Sequence, residues 1–161
     1  MEIERKWLIS PSAIPYDLSQ LDYLDIEQAY ISYSPVVRVR KINNGEKYVL
    51  TIKRSTEYGG IASAESEFEL DRNTFEFLYS NHAGNVISKR RYLHSLPNGL
   101  LEEIDIFSGD LEGLAYMEIE FPSLSDAESY PNPDWVISDV TNDPHYKNKS
   151  LAEFGLPYKS N

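Results

Sequence analysis

Three ionisable residues at strict every-second spacing open the chain: Glu2, Glu4 and Lys6 within Glu2-Ile3-Glu4-Arg5-Lys6-Trp7. In an extended segment this spacing puts the three on one face and Ile3, Arg5 and Trp7 on the other. Two carboxylates about 7 Å apart along a strand can share a hard divalent cation, and a lysine beyond them can meet a phosphate oxygen on it. Metal-assisted phosphate chemistry is one reading of the stripe. The other is a hairpin strand that turns its polar face to water.

The pattern recurs along the chain. Arg38 and Arg40 share a face opposite Val37 and Val39, Thr51 and Lys53 oppose Tyr48, Leu50 and Ile52, and Lys89 aligns with Arg91. Acidic rows follow the same rule: Glu65, Glu67, Glu69 and Asp71 against Phe68 and Leu70, then Glu103 with Asp105, then Tyr116, Glu118 and Glu120 against Met117, Ile119 and Phe121. Paired bases on one face repel unless an anion lies between them. The arginine fork suits phosphate oxygens, and lysine adds a mobile point charge. Lys6, Arg38, Arg40, Lys53, Lys89 and Arg91 together would match the charge of a linear triphosphate. Glu2, Glu4, Glu118 and Glu120 offer an all-oxygen shell suited to Mg²⁺ or Mn²⁺. No histidine is needed.

The elements that must position these residues are mostly strands, about eight by the count of alternating runs rich in Tyr, Phe and β-branched residues. They run from Glu2 to Ile9, Ile26 to Ser34, Val36 to Ile42, Lys47 to Arg54, Ala62 to Asp71, Val86 to Leu93, Leu100 to Phe107 and Ala115 to Phe121. The second sends Gln28, Tyr30 and Ser32 to one face and Ala29, Ile31 and Tyr33 to the other. Asn43-Asn44-Gly45 and Pro97-Asn98-Gly99 read as turns, and Glu57-Tyr58-Gly59-Gly60 as a flexible loop. Helices are expected at Asn73 to Asn81, after a capping pattern at Ser125 to Glu128, and at Asn148 to Phe154 before Gly155. If the charged faces point inward, the sheet closes into a barrel with a charged interior and helices on part of its outside.

Composition limits the partners. The 161 residues suit one domain, residues 1–161, and carry no cysteine for disulfide or thiolate-metal sites. A net charge of -11 repels a nucleic-acid backbone, and no apolar run approaches the roughly eighteen residues that cross a bilayer. A cytoplasmic protein without a membrane or nucleic-acid partner is expected, with a homodimer left open.

In order, Glu2-Ile3-Glu4-Arg5-Lys6, Arg38-Val39-Arg40, Thr51-Ile52-Lys53, Glu67-Phe68-Glu69, Lys89-Arg90-Arg91-Tyr92, Glu103-Ile104-Asp105 and Glu118-Ile119-Glu120 resemble the signatures of the triphosphate tunnel metalloenzymes, the CYTH superfamily, in their short bacterial form. Val140-Thr141 and Tyr146 to Ala152 resemble its C-terminal signature. The resemblance implies a mainly β fold, a closed eight-stranded antiparallel barrel enclosing a triphosphate tunnel, with a few short helices packed outside. It implies an inorganic triphosphatase that cleaves tripolyphosphate, a small-molecule substrate, to pyrophosphate and phosphate. Lys6, Arg38, Arg40, Lys53, Lys89 and Arg91 would bind phosphate, and Glu2, Glu4, Glu118 and Glu120 would hold Mg²⁺ or Mn²⁺. Lys89 and Tyr30 would be catalytic, while Glu67, Glu69, Glu103 and Asp105 would orient groups or hold a second metal. Class IV adenylate cyclase, thiamine triphosphatase and a non-catalytic polyphosphate or nucleotide binder are the alternatives. The cyclases resemble longer chains with residues before the first motif, which starts here after Met1. One departure from the family pattern is His145, which stands where an arginine is usual before Tyr146, and it implies a phosphate contact sensitive to pH near neutrality.

Overall fold

In the computed structural model, which describes residues 1–157, the alternating runs become nine strands. They are β1 (Glu2–Leu8), β2 (Asp22–Tyr33), β3 (Val36–Ile42), β4 (Lys47–Thr56), β5 (Gly59–Glu69), β6 (Ala83–Ser95), β7 (Leu101–Ser108), β8 (Ala115–Glu120) and the two-residue β9 (Ser138–Asp139). Eight of them form one antiparallel sheet in the order β5-β4-β3-β2-β6-β7-β8-β1, and pairing of Glu2 with Ser63 and Ile3 with Ala62 closes β1 onto β5. Closure removes the sheet's free edges and gives it an inside.

The charged faces are the inner ones, and the apolar faces turn outward beneath short elements. Helix α1 (Arg72–Ser80) sets Phe75, Leu78 and Tyr79 on Ala29, Val39, Tyr48 and Leu50, which project outward from β2, β3 and β4. Helix α2 (Leu124–Ser129) and the segment after it cover Trp7, Ile104, Met117, Ile119 and Phe121. Arg5, expected on the outer face, ties that cover down. Its guanidinium donates to Asp139 Oδ2, to Asn132 Oδ1 and to the carbonyls of Ala127 and Tyr130.

Helix α3 (Asn148–Phe154) sits differently from the other two. Its Leu151 and Ala152 are fully buried with Tyr30, Ile87, Phe107, Leu111, Leu114 and Tyr116, residues of the inner face and of the β7–β8 connection. One end of the interior is therefore apolar and filled. Gly155, with φ at 79°, ends the helix as expected.

Several boundaries differ from the sequence reading. Asp71 is not the last residue of an acidic row, because its carboxylate accepts from the Thr74 amide and caps α1. The cap of α2 is Ser123, two residues before the expected pattern. The flexible loop expected at Glu57 to Gly60 is a tight turn, with β5 starting at Gly59. A register shift in β2 around Tyr30 breaks the alternation there, so that Tyr30 and Tyr33 lie near each other with ring centres 5.7 Å apart. No helix among the described residues is long and apolar enough to cross a membrane.

Candidate active site

Inward-facing residues of all eight barrel strands, β2 through Tyr30, converge on a cavity of about 330 Å³. Small-molecule pockets start at roughly this size, so the space suits a compact ligand. Its wall carries Glu2, Glu4 and Lys6 from β1, Tyr30 from β2, Arg38 and Arg40 from β3, and Lys53 from β4. Glu65 and Glu67 of β5, Arg91 of β6, Glu103 of β7 and Glu118 and Glu120 of β8 complete it. Period-two spacing accounts for most of this set, because every second side chain of a closed sheet points inward.

The cations are held at defined places by carboxylates. Arg38 Nη2 lies 3.3 Å from Glu65 Oε1, and Lys53 Nζ lies 3.5 Å from Glu2 Oε1 and 3.8 Å from Glu65 Oε1. Although burial opposes it, the pKa of Arg38 is raised by Tyr30 and Glu65 beside it. Arg91 Nε donates to Asp105 Oδ1 at 2.7 Å and Nη2 to Asp105 Oδ2 at 2.9 Å, while Nη1 lies 2.7 Å from Glu103 Oε2. Lys6 Nζ donates to the Tyr146 carbonyl at 3.2 Å and rests over the Tyr116 ring.

Lys89 and Asp105 share the inner face but not the cavity wall. Both side chains are completely inaccessible, with Lys89 Nζ 2.8 Å from Asp105 Oδ2. Burial lowers the Lys89 pKa to about 8, with Arg91 and Arg40 adding to the effect and Asp105 and Glu118 opposing it. The Asp105 carboxyl is held below its ordinary value against burial by Arg91 and Lys89. Glu69 is exposed at the end of β5 and does not line the cavity.

On the acidic side, carboxyls meet in pairs. Burial and a hydrogen bond with Glu65 raise the Glu2 pKa, and burial with the neighbouring Glu118 carboxylate pushes Glu4 well above the usual range. Burial alone would raise Glu118 as well, but Lys6, Arg91 and Lys89 hold it far below its ordinary value. Two carboxyls in a poorly hydrated site need a proton or a cation between them. Glu118 Oε1 is also buried without a hydrogen-bond donor. Among the described residues, no three or more His, Cys, Asp or Glu side chains are gathered as a ready cage. The arrangement fits a hard cation bound by one or two carboxylates that completes its shell from the ligand and water, the habit of Mg²⁺.

The C-terminal segment adds side chains to the site that strand periodicity does not assign. Chain 140–149 passes β1 at the barrel seam, where Val140 N donates to the Lys6 carbonyl, and brings Thr141, Tyr146, Lys147 and Lys149 into the cavity wall. A side chain at Gly60 would strike the Thr141 carbonyl at 2.8 Å, so this glycine permits the close approach. Lys147 has its pKa lowered by burial and by Lys53 and Lys6. The C-terminal signature includes Val140-Thr141 and 146–152, but only the long-range fold shows which of its side chains point inward.

His145 is the opposite case. It lies in a 3₁₀ turn (Pro144–Tyr146), its side chain is 76% exposed, and its Nδ1 contacts Asp143 Oδ1 at 2.8 Å. The turn carries it away from the cavity, so the expected pH-sensitive phosphate contact is not formed. His145→Arg is accordingly expected to leave kcat/KM and its profile between about pH 6 and 8 unchanged. A clear difference between the two profiles would contradict this placement.

No family model matches the chain. It is 34% identical over 152 residues to an inorganic triphosphatase of Nitrosomonas europaea, covering 94% of this chain and 96% of that protein. It is also 34% identical over 165 residues to an inorganic triphosphatase of Acetivibrio thermocellus, covering 99% of this chain and 96% of the relative. A crystal structure of an inorganic triphosphatase superposes with a TM-score of 0.67 at 34% identity, over 94% of each chain. A Hippeastrum protein described as an adenylyl cyclase with a dominant triphosphatase activity shares the fold at 18% identity and a TM-score of 0.62, over 80% of this chain and 83% of its own.

Proposed function

The chain belongs to the inorganic triphosphatases of the triphosphate tunnel family, and from that premise we propose that it hydrolyses tripolyphosphate to pyrophosphate and phosphate with a divalent cation, Mg²⁺ or Mn²⁺. The observation that carries the reading is the cavity itself. It sets Lys6, Arg38, Arg40, Lys53 and Arg91 against Glu2, Glu4, Glu118 and Glu120 around a space fit for a small polyanion.

Phosphoryl transfer asks a protein chiefly for positioning and charge stabilisation. Arg38 and Arg40 of β3 and Arg91 of β6 provide planar forks, and Lys6 and Lys53 add point charges. Glu4 and Glu118, with Glu2 and Glu120, would hold the cation. When bound, it would polarise phosphoryl oxygens and offset charge on the leaving group. Glu67 and Glu103 remain candidates for orienting the bases or a water. The proposed setting is cytoplasmic, with a small molecule as the partner.

Water is the nucleophile, and Lys89 is the proposed proton acceptor. It releases its proton near pH 8 and stands on β6 two residues from Arg91. Because Lys89 does not line the cavity, Tyr30, on the wall beside Arg38, would relay the proton, its hydroxyl giving one to Lys89 as it takes one from the attacking water. If Lys89 takes the proton, kcat should rise about tenfold per unit as pH approaches 8 and then level. Lys89→Arg keeps the cation but cannot release a proton. It is expected to lose this limb while still binding tripolyphosphate. An unaltered limb in the variant would remove Lys89 from the role.

The assignment is tested by presenting purified protein with tripolyphosphate, ATP and thiamine triphosphate, each with Mg²⁺ or Mn²⁺, and resolving the products. Equimolar phosphate and pyrophosphate from tripolyphosphate, faster than from either organic triphosphate, is expected. Cyclic AMP from ATP, or preference for an organic triphosphate, would overturn it.

A further inference from the structure

Gln28 is completely buried on β2, directly across the strand pair from Arg40. Its Oε1 accepts two hydrogen bonds from one guanidinium, from Arg40 Nε at 2.9 Å and Nη2 at 2.8 Å. Both bonds converge on one neutral amide oxygen, whereas Arg91 sets the same two nitrogens on the two oxygens of the Asp105 carboxylate. The remaining amide nitrogen, Gln28 Nε2, is buried without an acceptor.

The neighbouring cations are treated differently. Arg38 has Glu65, Lys53 has Glu2, and Lys89 and Arg91 converge on Asp105. Arg40 is instead oriented by a neutral group, in a half-buried position facing Arg38 and Arg91. Burial and those two cations lower its pKa to about 9, with Asp105 and Tyr30 opposing only in part, so its positive charge stands at a cost. An arriving polyanion would relieve that cost more at Arg40 than at cations already compensated.

Resting on the tripolyphosphate reading, we infer that Gln28 is a positioning residue that holds the Arg40 fork toward the cavity without neutralising it, and thereby makes Arg40 the principal attractor of the substrate's phosphates. Carboxylate and amide have nearly the same shape. Gln28→Glu should therefore keep the geometry and cancel the charge, and Gln28→Met should remove the acceptor without adding charge.

The experiment follows thermal stabilisation of each protein by tripolyphosphate in chelator, which reads anion binding without turnover, beside KM and kcat with Mg²⁺. Gln28→Glu is expected to melt at or above the wild-type temperature without ligand, to lose most of the tripolyphosphate shift, and to raise KM by about 10–100-fold with a smaller change in kcat. A merely structural amide predicts normal binding in such a folded variant. Wild-type KM and a wild-type shift in Gln28→Glu would overturn the inference, as would the lack of any shift in the wild type. Should Gln28→Glu fail to fold, Gln28→Met is read in the same assays, with weakened binding expected and unchanged binding contradicting the inference. Failure of the wild type to turn over tripolyphosphate would defeat the proposed function instead, and the chelator titration would still read Gln28.

Discussion

Asp105→Ala is expected to destabilise the barrel by about 3–5 kcal/mol, the usual cost of stranding a buried charge. Asp105 is fully buried on β7, within 2.8 Å of Lys89 Nζ and bonded twice by the Arg91 fork. Removing it leaves two cations facing each other where water cannot reach them, although Arg91 keeps Glu103. A fall of that size in unfolding free energy, read from denaturant midpoints at unchanged slope, is the expected result. Adding Lys89→Met should recover part of the loss by deleting one stranded cation. A single variant within about 0.5 kcal/mol of wild type, the range of ordinary surface changes, would show that the charge cluster does not hold the interior together. The native Lys89 also binds fewer protons than the unfolded chain between about pH 8 and its ordinary value, so wild-type stability should rise with pH across that window.

Glu4→Gln is expected to separate stability from activity. Burial and Glu118 make the Glu4 carboxylate costly, and a neutral amide of the same shape removes that cost. The sign follows from linkage. A carboxyl whose folded pKa is raised gives stability below the unfolded value, and this is lost as pH climbs through the folded value. In chelator, the wild type should weaken as pH rises above the usual carboxylate range, whereas the variant should weaken less and melt higher. With Mg²⁺ present the order of usefulness reverses. Loss of a cation's several kcal/mol of transition-state stabilisation corresponds to a fall in kcat/KM of about 10²–10³-fold. Full activity in Glu4→Gln would exclude Glu4 from holding the cation.

Strand periodicity made the membership of each face legible. Arg38 with Arg40, Lys89 with Arg91 and Glu118 with Glu120 all share the faces expected of them, because alternation is local and needs only the backbone. Periodicity carries no depth. Lys89 and Arg91 share a face, yet one is sealed with Asp105 and the other reaches the cavity, a difference set by how far along the barrel axis each lies. Nor does it show what crosses the interior. Leu151 and Ala152 form an ordinary apolar helix face by sequence, and only the topology places them at the end of a charged barrel.

Long-range placement also explains the remaining differences. Lys147 and Lys149 belong to the cavity because 140–149 runs along β1 at the seam, far from it in sequence. His145 looked like a replaced cation but is turned outward by a 3₁₀ turn. Gln28 is not legible as a site residue in the sequence, because it is neutral among many charges and its meaning depends on Arg40 having an amide where its neighbours have carboxylates.

The most direct test of the account measures phosphate release from tripolyphosphate by the purified protein with Mg²⁺, then with excess chelator, then with Mg²⁺ restored. Rapid release, its abolition and its recovery are expected. Equal rates with chelator, or no release with Mg²⁺ or Mn²⁺, would contradict the claim that this charged cavity is a metal-dependent triphosphatase site.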